Sequence, residues 1–340
     1  MTGKFVISLD FELHWGVFDK RSVESYKSNL LKVRPIITRM LELADKYGIS
    51  LTFSTVGFLF AETKNELLEH IPLNKPTYAN TNLSPYLLLD TIGNSETEDP
   101  FHFAHSVIIE LINNGKHEIG SHTFSHYYCH EVGQTVEQFE QDIKAAVSIA
   151  KSKGLKLESI IFPRNMIDPS FEIDRKYLDI CYNNGIKSFR GREKSFIYND
   201  HNSLWYNKFY LSKKLMIYIK RLLRLVDTYF NITGYNTYGL KHLKANRNVL
   251  NLPSSRILRS YSQKLSFIEG LKLRRITKAM NYAAKNNELY HLWWHPHNFG
   301  SNTDENFSNL EEIFKVYHKL NKEYNFQSMT MTELTNYINN

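Results

Sequence analysis

The sequence predicts an α/β fold in which a mostly parallel sheet or barrel is surrounded by helices. Short apolar, β-branched runs alternate with longer segments whose apolar residues recur at helical spacing, and glycines follow several of these segments. With 340 residues, 42% of them hydrophobic and 23% charged, the chain has the size and composition of a folded globular protein. We expect a single domain over residues 1–340, with insertions at about 63–100 and 205–278.

The elements alternate along the chain in the order typical of βα units. Apolar, β-branched and aromatic residues predict strands at Lys4–Leu9, Ile49–Val56, His117–Ile119, Glu158–Phe162, Ile186–Phe189 and Glu288–Trp294. Helical periodicity predicts helices at Asn29–Tyr47, His102–Asn114, Thr135–Lys153, Ser170–Asn183 and Glu305–Tyr324. A glycine follows each of the first four helices, where it ends the helix. Four prolines between residues 63 and 100 predict a surface insertion there.

The net charge of +7 is concentrated in one segment. Residues 205–278 contain sixteen Lys and Arg against two acidic residues, so the rest of the chain is mildly acidic. Within that segment, residues 213–230 form an amphipathic pattern with Leu215, Ile219, Leu222, Leu223 and Val226 along one helical stripe. Such a helix either contacts an anionic membrane surface or packs on the barrel with its charges solvated. We find no nucleic-acid-binding motif and expect no nucleic acid as a partner.

Two further features limit the class of protein. No run approaches the ~18–20 uninterrupted apolar residues that cross a bilayer, so the sequence excludes an integral membrane protein. The first residues carry a short apolar run that soon meets acids, which differs from a signal peptide, and we expect a cytoplasmic protein. Two cysteines, Cys129 and Cys181, exclude a disulfide framework and a CxxC zinc site.

A pair of acidic residues follows one predicted strand, and a pair of histidines follows another. Asp10 and Glu12 stand two residues apart in an extended segment, so both carboxylates could face one pocket or form a solvated turn. His122 and His126 have the i, i+4 spacing that places two imidazoles on one face of a helical turn, where they could hold a cation or remain exposed. In a parallel barrel, the carboxyl ends of the strands meet on the face where active sites form.

Two other strand ends carry candidate site residues. Arg164 follows Phe162-Pro163 and could hold a neighbouring carboxylate ionised through a bidentate contact, or lie on the surface. His295 follows Trp293-Trp294 and could act as a general acid in an apolar site. The tryptophans could equally pack in the core.

Taken together, these motifs resemble the polysaccharide deacetylases (NodB homology, carbohydrate esterase family 4). The resemblance rests on the order D-x-E, G-S-H-T-x-S-H, F-P-R-N and L-x-x-H, and covers about residues 4–195 and 286–335. Glu118–His126 is its most specific part. Phe11 separates two acids that are adjacent in the usual motif, so the chain is similar to the D-x-D/E subgroup.

The resemblance implies a distorted (β/α)7 barrel and a metal-dependent hydrolysis of an N-acetyl or similar acyl group on a sugar. It implies Glu12, His122 and His126 as ligands of one divalent metal. The preferred metal would be Zn²⁺, and Co²⁺, Mn²⁺ and Fe²⁺ are alternatives. It further implies Asp10 as general base, with the exchange of Asp10 and Glu12 left open, Arg164 as the residue that orients Asp10, and His295 as general acid. We expect Trp15, Asn165 and Trp294 to contact the substrate.

Three classes of function therefore remain. The first is a sugar deacetylase acting in surface polysaccharide biosynthesis, on an N-acetylated sugar or glycan that is free, nucleotide-linked or lipid-linked. The second is a hydrolase of a C–N bond in a non-sugar amide. The third is a non-catalytic module that binds glycans or a membrane surface.

Overall fold

The computed structural model describes residues 1–198, 213–243, 245–246 and 248–340. Its strands are β1 (Lys4–Phe11), β2 (Leu51–Thr55), β3 (Glu118–Ser121), β4 (Ser159–Ile160), β5 (Ser188–Phe189), β6 (Tyr238–Gly239), β7 (Ala245–Asn246), β8 (Val249–Asn251), β9 (Arg256–Ile257), β10 (Glu288–Trp294) and β11 (Gln327–Ser328). Its helices are α1 (Val23–Leu30), α2 (Val33–Tyr47), α3 (Lys64–Glu69), α4 (His105–Asn114), α5 (Val136–Ser152), α6 (Glu172–Asn183), α7 (Lys213–Tyr229), α8 (Glu269–Asn286), α9 (Thr303–Tyr324) and α10 (Met331–Asn339).

Seven parallel strand positions form a closed ring: β1, β2, β3, β4, β5, β10 and the segment that contains β8 and β9. The expected distorted (β/α)7 barrel is therefore confirmed. β1 pairs with β2 and the ladder continues through β3 and β4 to β5, while β10 pairs with the other edge of β1. Residues 249–257 bridge the remaining gap, because β8 pairs with β5 and β9 pairs with β10. The short strands β4, β5, β8 and β9 make this half of the ring irregular.

The bridging segment, residues 249–257, corrects one expectation from the sequence. Residues 205–278 were expected to lie outside the barrel, but residues 249–257 are part of its wall. The hydrophobic pattern is too short to reveal them, since each pairing strand has only two or three residues. Residues 205–212, 244 and 247 of that segment lie outside the described residues.

The predicted helix Asn29–Tyr47 is in fact two helices, α1 and α2. Pro35 explains the break: in a continuous helix its ring would clash with the carbonyl of Leu31, four residues earlier. In the structure Pro35 lies in the first turn of α2, where a missing N–H costs nothing. Gly48 ends α2 in the left-handed conformation, with φ of 65°.

The expected surface insertion at 63–100 contains α3 and two short 3₁₀ turns. It is more closely packed than its prolines suggest, because Tyr86, Leu89 and Ile92 are buried in the main hydrophobic cluster. This segment therefore covers part of the barrel wall.

Strand β1 shows how the barrel divides its two faces. Phe5, Ile7 and Leu9 pack outward against the helices in the main hydrophobic cluster. Val6 points inward and packs with Met331 of α10 at the amino end of the barrel. Side chains alternate along a strand, so Ser8 and Asp10 continue the inward face toward the carboxyl end. Among the described residues, no helix combines the length and apolarity needed to traverse a bilayer.

Candidate metal centre and active site

Three side chains that can ligate a metal meet at the carboxyl end of the barrel. Nε2 of His122 lies 3.3 Å, and Nε2 of His126 lies 3.2 Å, from the same carboxylate oxygen of Glu12. The candidate ligand atoms all lie within 4.8 Å of one another, and all three side chains are buried. The structure therefore brings together the three residues that the resemblance implied as a metal site.

An irregular loop, and not a helical turn, joins the two histidines. After β3 the chain turns through Thr123 and His126, whose φ angles are 64° and 56°. Buried Asp142 of α5 fixes this loop by accepting hydrogen bonds from the backbone N–H groups of Phe124 (2.7 Å) and Ser125 (3.1 Å). The helical geometry expected from the i, i+4 spacing is wrong, although the two imidazole centroids still lie 5.0 Å apart.

The hydrogen bonds and charges of this cluster suit a cation. Nδ1 of His122 lies 2.8 Å from the carbonyl oxygen of Ile161, which only accepts, so Nδ1 donates to it and Nε2 is the atom that would ligate a cation. Burial opposes ionisation of Glu12, but His295, His122 and His126 outweigh it and hold its pKa well below the ordinary value. Burial lowers the pKa of His126. Two imidazoles and one carboxylate form a donor set that suits Zn²⁺.

Asp10 lies beside the cluster and is paired with the guanidinium of Arg190. Nη1 of Arg190 donates to Oδ1 of Asp10 (2.7 Å) and Nη2 donates to Oδ2 (2.8 Å). Burial alone would raise the pKa of Asp10, but Arg190 most strongly, with His295 and His122, brings it below the ordinary value. Asp10 is therefore a buried, ionised carboxylate held in one orientation.

His295 links the two acids. Its Nε2 lies 3.6 Å from Oδ2 of Asp10 and 3.6 Å from Oε1 of Glu12. Its side chain remains 24% exposed, so this ring reaches the space above the acids. That position fits a group that transfers a proton to a substrate.

Arg164 does not orient Asp10, which corrects the role implied for it. Its guanidinium forms an ion pair with Glu131, lies 3.6 Å from Asp19 and covers the ring of Tyr128. Arg164 has a positive φ of 63° and lines the cavity without contacting Asp10. Asn165 does line the cavity, where its Nδ2 donates to the carbonyl of Gly191 (3.3 Å).

Neither Trp15 nor Trp294 can contact a substrate, which corrects two further expectations. Both are fully buried. Trp15 donates from Nε1 to the carbonyl of His102 (2.9 Å), and Trp294 stacks on Phe299. Adjacent residues of a strand point to opposite faces, so Trp293 is the tryptophan that shares the inner face with His295 and lines the cavity.

The site lies in a cavity of about 270 Å³. Asp10, Glu12 and the histidines line it together with Arg190. Four further cationic side chains and three aromatic rings also line it. The cations are Lys20, Arg164, Arg192 and Arg224, and the aromatic residues are Tyr128, Tyr198 and Trp293.

Sequence reasoning missed Arg190 and Arg192, although a signal was present. Both follow the strand predicted at Ile186–Phe189, so the carboxyl-end argument that selected Arg164 applied equally to them. Arg224 could not be found in this way, because it comes from α7, which is remote in sequence from the barrel strands that it meets.

Comparisons with protein-family models and with curated proteins give no match. Solved structures with similar folds include a protein assigned as a polysaccharide deacetylase from Mycobacterium smegmatis, at TM-score 0.56 and 10% identity, covering 100% of this chain and 91% of that one. A second, assigned as a polysaccharide deacetylase from Pseudomonas aeruginosa PAO1, has TM-score 0.51 and 10% identity, with coverage of 98% and 89%. PuuE allantoinase has TM-score 0.53 and 10% identity, with coverage of 98% and 88%. The chain thus has the NodB-type (β/α)-barrel fold of the polysaccharide deacetylases.

Proposed function

We propose that the protein is a metal-dependent hydrolase that removes an N-acetyl or similar acyl group from a sugar. The observation that carries this proposal is the Glu12, His122 and His126 cluster beside a second carboxylate, Asp10, that Arg190 holds separately. Amide hydrolysis by an activated water needs one group of donors for a cation and another carboxylate for the proton.

Glu12, His122 and His126 would hold one divalent cation. Bound there, the cation would lower the pKa of a water molecule toward ~7 and polarise the amide carbonyl. The donor set favours Zn²⁺, and Co²⁺, Mn²⁺ or Fe²⁺ are alternatives.

The chain's own residues would move the protons. Asp10, ionised and fixed by Arg190, would take the proton of the attacking water. His295 would protonate the departing nitrogen, because an amine leaves poorly without a proton and this ring reaches into the cavity from Asp10 and Glu12.

The cationic side chains of the cavity support a substrate that carries an anionic group. Lys20, Arg164, Arg192 and Arg224 line the same cavity as the acids, and guanidinium groups bind phosphate bidentately. A sugar linked to a nucleotide or to a lipid phosphate meets this requirement. We further propose that the reaction belongs to surface polysaccharide biosynthesis and takes place in the cytoplasm.

A hydrolase of a non-sugar C–N bond is the second candidate, because PuuE allantoinase is similar in fold. A non-catalytic binding module is the third. Release of acetate from N-acetylated sugars separates the first candidate from both.

The test measures bound metal and acetate release in parallel, with Zn²⁺ or Co²⁺ added and with free, nucleotide-linked and lipid-linked N-acetyl sugars as substrates. We expect His122→Ala to lose metal and turnover, while His318→Ala, an exposed histidine on α9, retains both. Asp10→Asn should keep its metal and lose turnover. Loss of metal in Asp10→Asn with retention in Glu12→Gln would exchange the two assignments, and metal binding without acetate release from any substrate would refute the deacetylase.

A further inference from the structure

Helix α7 leaves one apolar stripe exposed, while Leu223 and Val226, expected in the same stripe, are partly buried. Of the six exposed side chains described in it, five are apolar and the sixth is Arg221. The five are Leu215, Tyr218, Ile219, Leu222 and Leu225, at the i, i+3, i+4, i+7 spacing of a single stripe. Tyr218 is 66% exposed and Leu222 is 60% exposed.

The polar side of α7 is buried instead. Asp227 is fully buried, and Lys220 and Thr228 are also buried. Arg275 donates to Oδ1 of Asp227 (2.7 Å), and Arg256 donates to Oδ2 (3.2 Å). A helix that packs on a soluble protein normally buries its apolar stripe. Here, ion pairs to α8 and β9 anchor the opposite side.

This arrangement excludes one interpretation left open by the sequence. An ordinary amphipathic helix packed on the barrel would bury Leu222 and leave Lys220 in water, and the structure has the reverse. A continuous apolar stripe that remains exposed marks a contact surface.

Charge identifies what contacts the stripe. By sequence, residues 205–278 carry sixteen Lys and Arg against two acids. Among the side chains described in α7, Arg221 is the cation that is exposed beside the stripe, whereas Lys220 is buried and Arg224 lines the cavity. A second copy would bring two strongly basic segments together, which opposes self-association. An anionic bilayer attracts the cations and accepts the apolar side chains at the boundary between headgroups and acyl chains.

We propose that α7 docks the protein on an anionic membrane surface through this apolar stripe. Arg224, on the opposite side of the same helix, lines the catalytic cavity. Docking therefore places the cavity about one helix diameter, ~10–12 Å, from the surface. Insofar as the proposed function holds, the substrate would then be a sugar on an anionic lipid carrier.

Vesicle binding by the full chain tests the proposal without any turnover. We expect cosedimentation with vesicles of phosphatidylcholine and phosphatidylglycerol in equal parts, and at least roughly tenfold weaker binding to phosphatidylcholine alone. Lack of binding to the anionic vesicles would overturn the proposal while leaving acetate release from soluble substrates as a separate question.

Two leucines with the same exposure provide a matched pair. Leu222 and Leu87 are each 60% exposed. Leu222→Glu should weaken binding to anionic vesicles roughly tenfold or more, because an apolar contact is replaced by a charge that the surface repels. Leu87→Glu should bind like the wild type, and both variants should keep the wild-type melting temperature and metal content. Equal losses in the two variants, or a Leu222→Glu variant that binds normally, would refute insertion of this face.

A fluorescent label gives a second readout that does not depend on lost binding. Both native cysteines are buried, and burial raises the pKa of each thiol, so an introduced exposed cysteine is labelled selectively. A nitrobenzoxadiazole label on Leu222→Cys should brighten and shift to the blue on adding anionic vesicles, while the label on Leu87→Cys should not. A concentration-dependent dimer without lipid, disrupted by Leu222→Glu, would instead identify a second copy as the partner and overturn the proposal.

Discussion

Arg190 holds both carboxylate oxygens of Asp10, and this pair is buried at the carboxyl end of the barrel. Nη1 of the same guanidinium also donates to Oγ of Ser8 (3.1 Å), which lies 2.9 Å from Nε2 of His291. Nδ1 of His291 lies 3.0 Å from the carbonyl oxygen of Leu252. Since that carbonyl only accepts, Nδ1 carries the proton, Ser8 donates to Nε2, and the oxygen of Ser8 accepts from Arg190.

This geometry predicts that Arg190 and Arg164 differ sharply in importance. Arg190→Gln leaves Asp10 buried without its cation, so we expect a loss of about 3–5 kcal/mol in unfolding free energy and a large loss of turnover. Arg164→Gln removes a partly exposed pair with Glu131 and should be nearly neutral for stability. Denaturant unfolding and steady-state kinetics of the two variants check this. A fall in kcat of Arg164→Gln as large as that of Arg190→Gln, with KM unchanged, would show that Arg164 acts on Asp10 after all, whereas a rise in KM alone agrees with a contact to the substrate.

The buried His291 predicts an acid-sensitive fold. Burial, reinforced by Arg190, lowers the pKa of His291 to about 3, whereas an unfolded histidine titrates near ~6.5. The unfolded chain therefore binds a proton below pH ~6.5 that the folded chain rejects, and stability falls as pH decreases from ~6.5 toward ~3. Between pH 6.5 and 5 the titration of this histidine alone lowers the unfolding free energy by about 1.6 kcal/mol.

His291→Gln isolates that contribution. Its unfolding free energy should fall by about 1.6 kcal/mol less than that of the wild type over the same pH interval. Chemical unfolding at pH 6.5 and pH 5 measures the difference. Parallel losses in the two proteins would mean that His291 is protonated in the folded state.

Adjacent tryptophans on β10 should have separate effects. Trp294→Ala removes a fully buried ring and should cost about 3–5 kcal/mol of stability. Trp293→Leu alters the cavity wall and should raise KM with little change in melting temperature. Thermal unfolding and kinetics on both variants test this assignment. The opposite pattern would mean that Trp294, and not Trp293, faces the cavity.

Gly16 permits the position of Glu12. A Cβ at residue 16 would lie 1.9 Å from the carboxyl carbon of Glu12, so Gly16→Ala must displace the proposed ligand. We expect metal affinity to fall at least roughly tenfold, in the range of changes around a metal site. Gly270→Ala is the control, because a Cβ there meets nothing within 4 Å. Isothermal titration with Zn²⁺ measures both, and equal affinities would place Glu12 outside the metal site.

Metal binding should also stabilise the fold. A cation that binds only the folded chain adds about 2.7 kcal/mol at a free concentration of 100 Kd. Added Zn²⁺ should therefore raise the melting temperature of the wild type but not that of His126→Ala. A similar rise in His126→Ala would indicate a different binding site.

Sequence patterns located most elements near their observed bounds because the apolar periodicities are local. Glu288–Trp294 matches β10 without change, and the helix predicted at Thr135–Lys153 matches α5 with Thr135 as its cap. The bridging segment at residues 249–257 was not predicted as part of the barrel. Its place in the sheet depends on pairing with β5 and β10, and its own few residues form no recognisable pattern.

The amino-acid sequence by itself determined the alternation of strands and helices, the shared face of Asp10 and Glu12, and the chemical types available at the strand ends. These properties follow from side-chain periodicity and from the rule that parallel strands end on one face. Only the tertiary structure decided that Arg190 and not Arg164 binds Asp10, that Trp293 and not Trp294 faces the cavity, and that α7 presents its apolar side outward. Each of these depends on which segment, distant in sequence, packs against the residue. The local periodicity of a sequence does not specify such contacts.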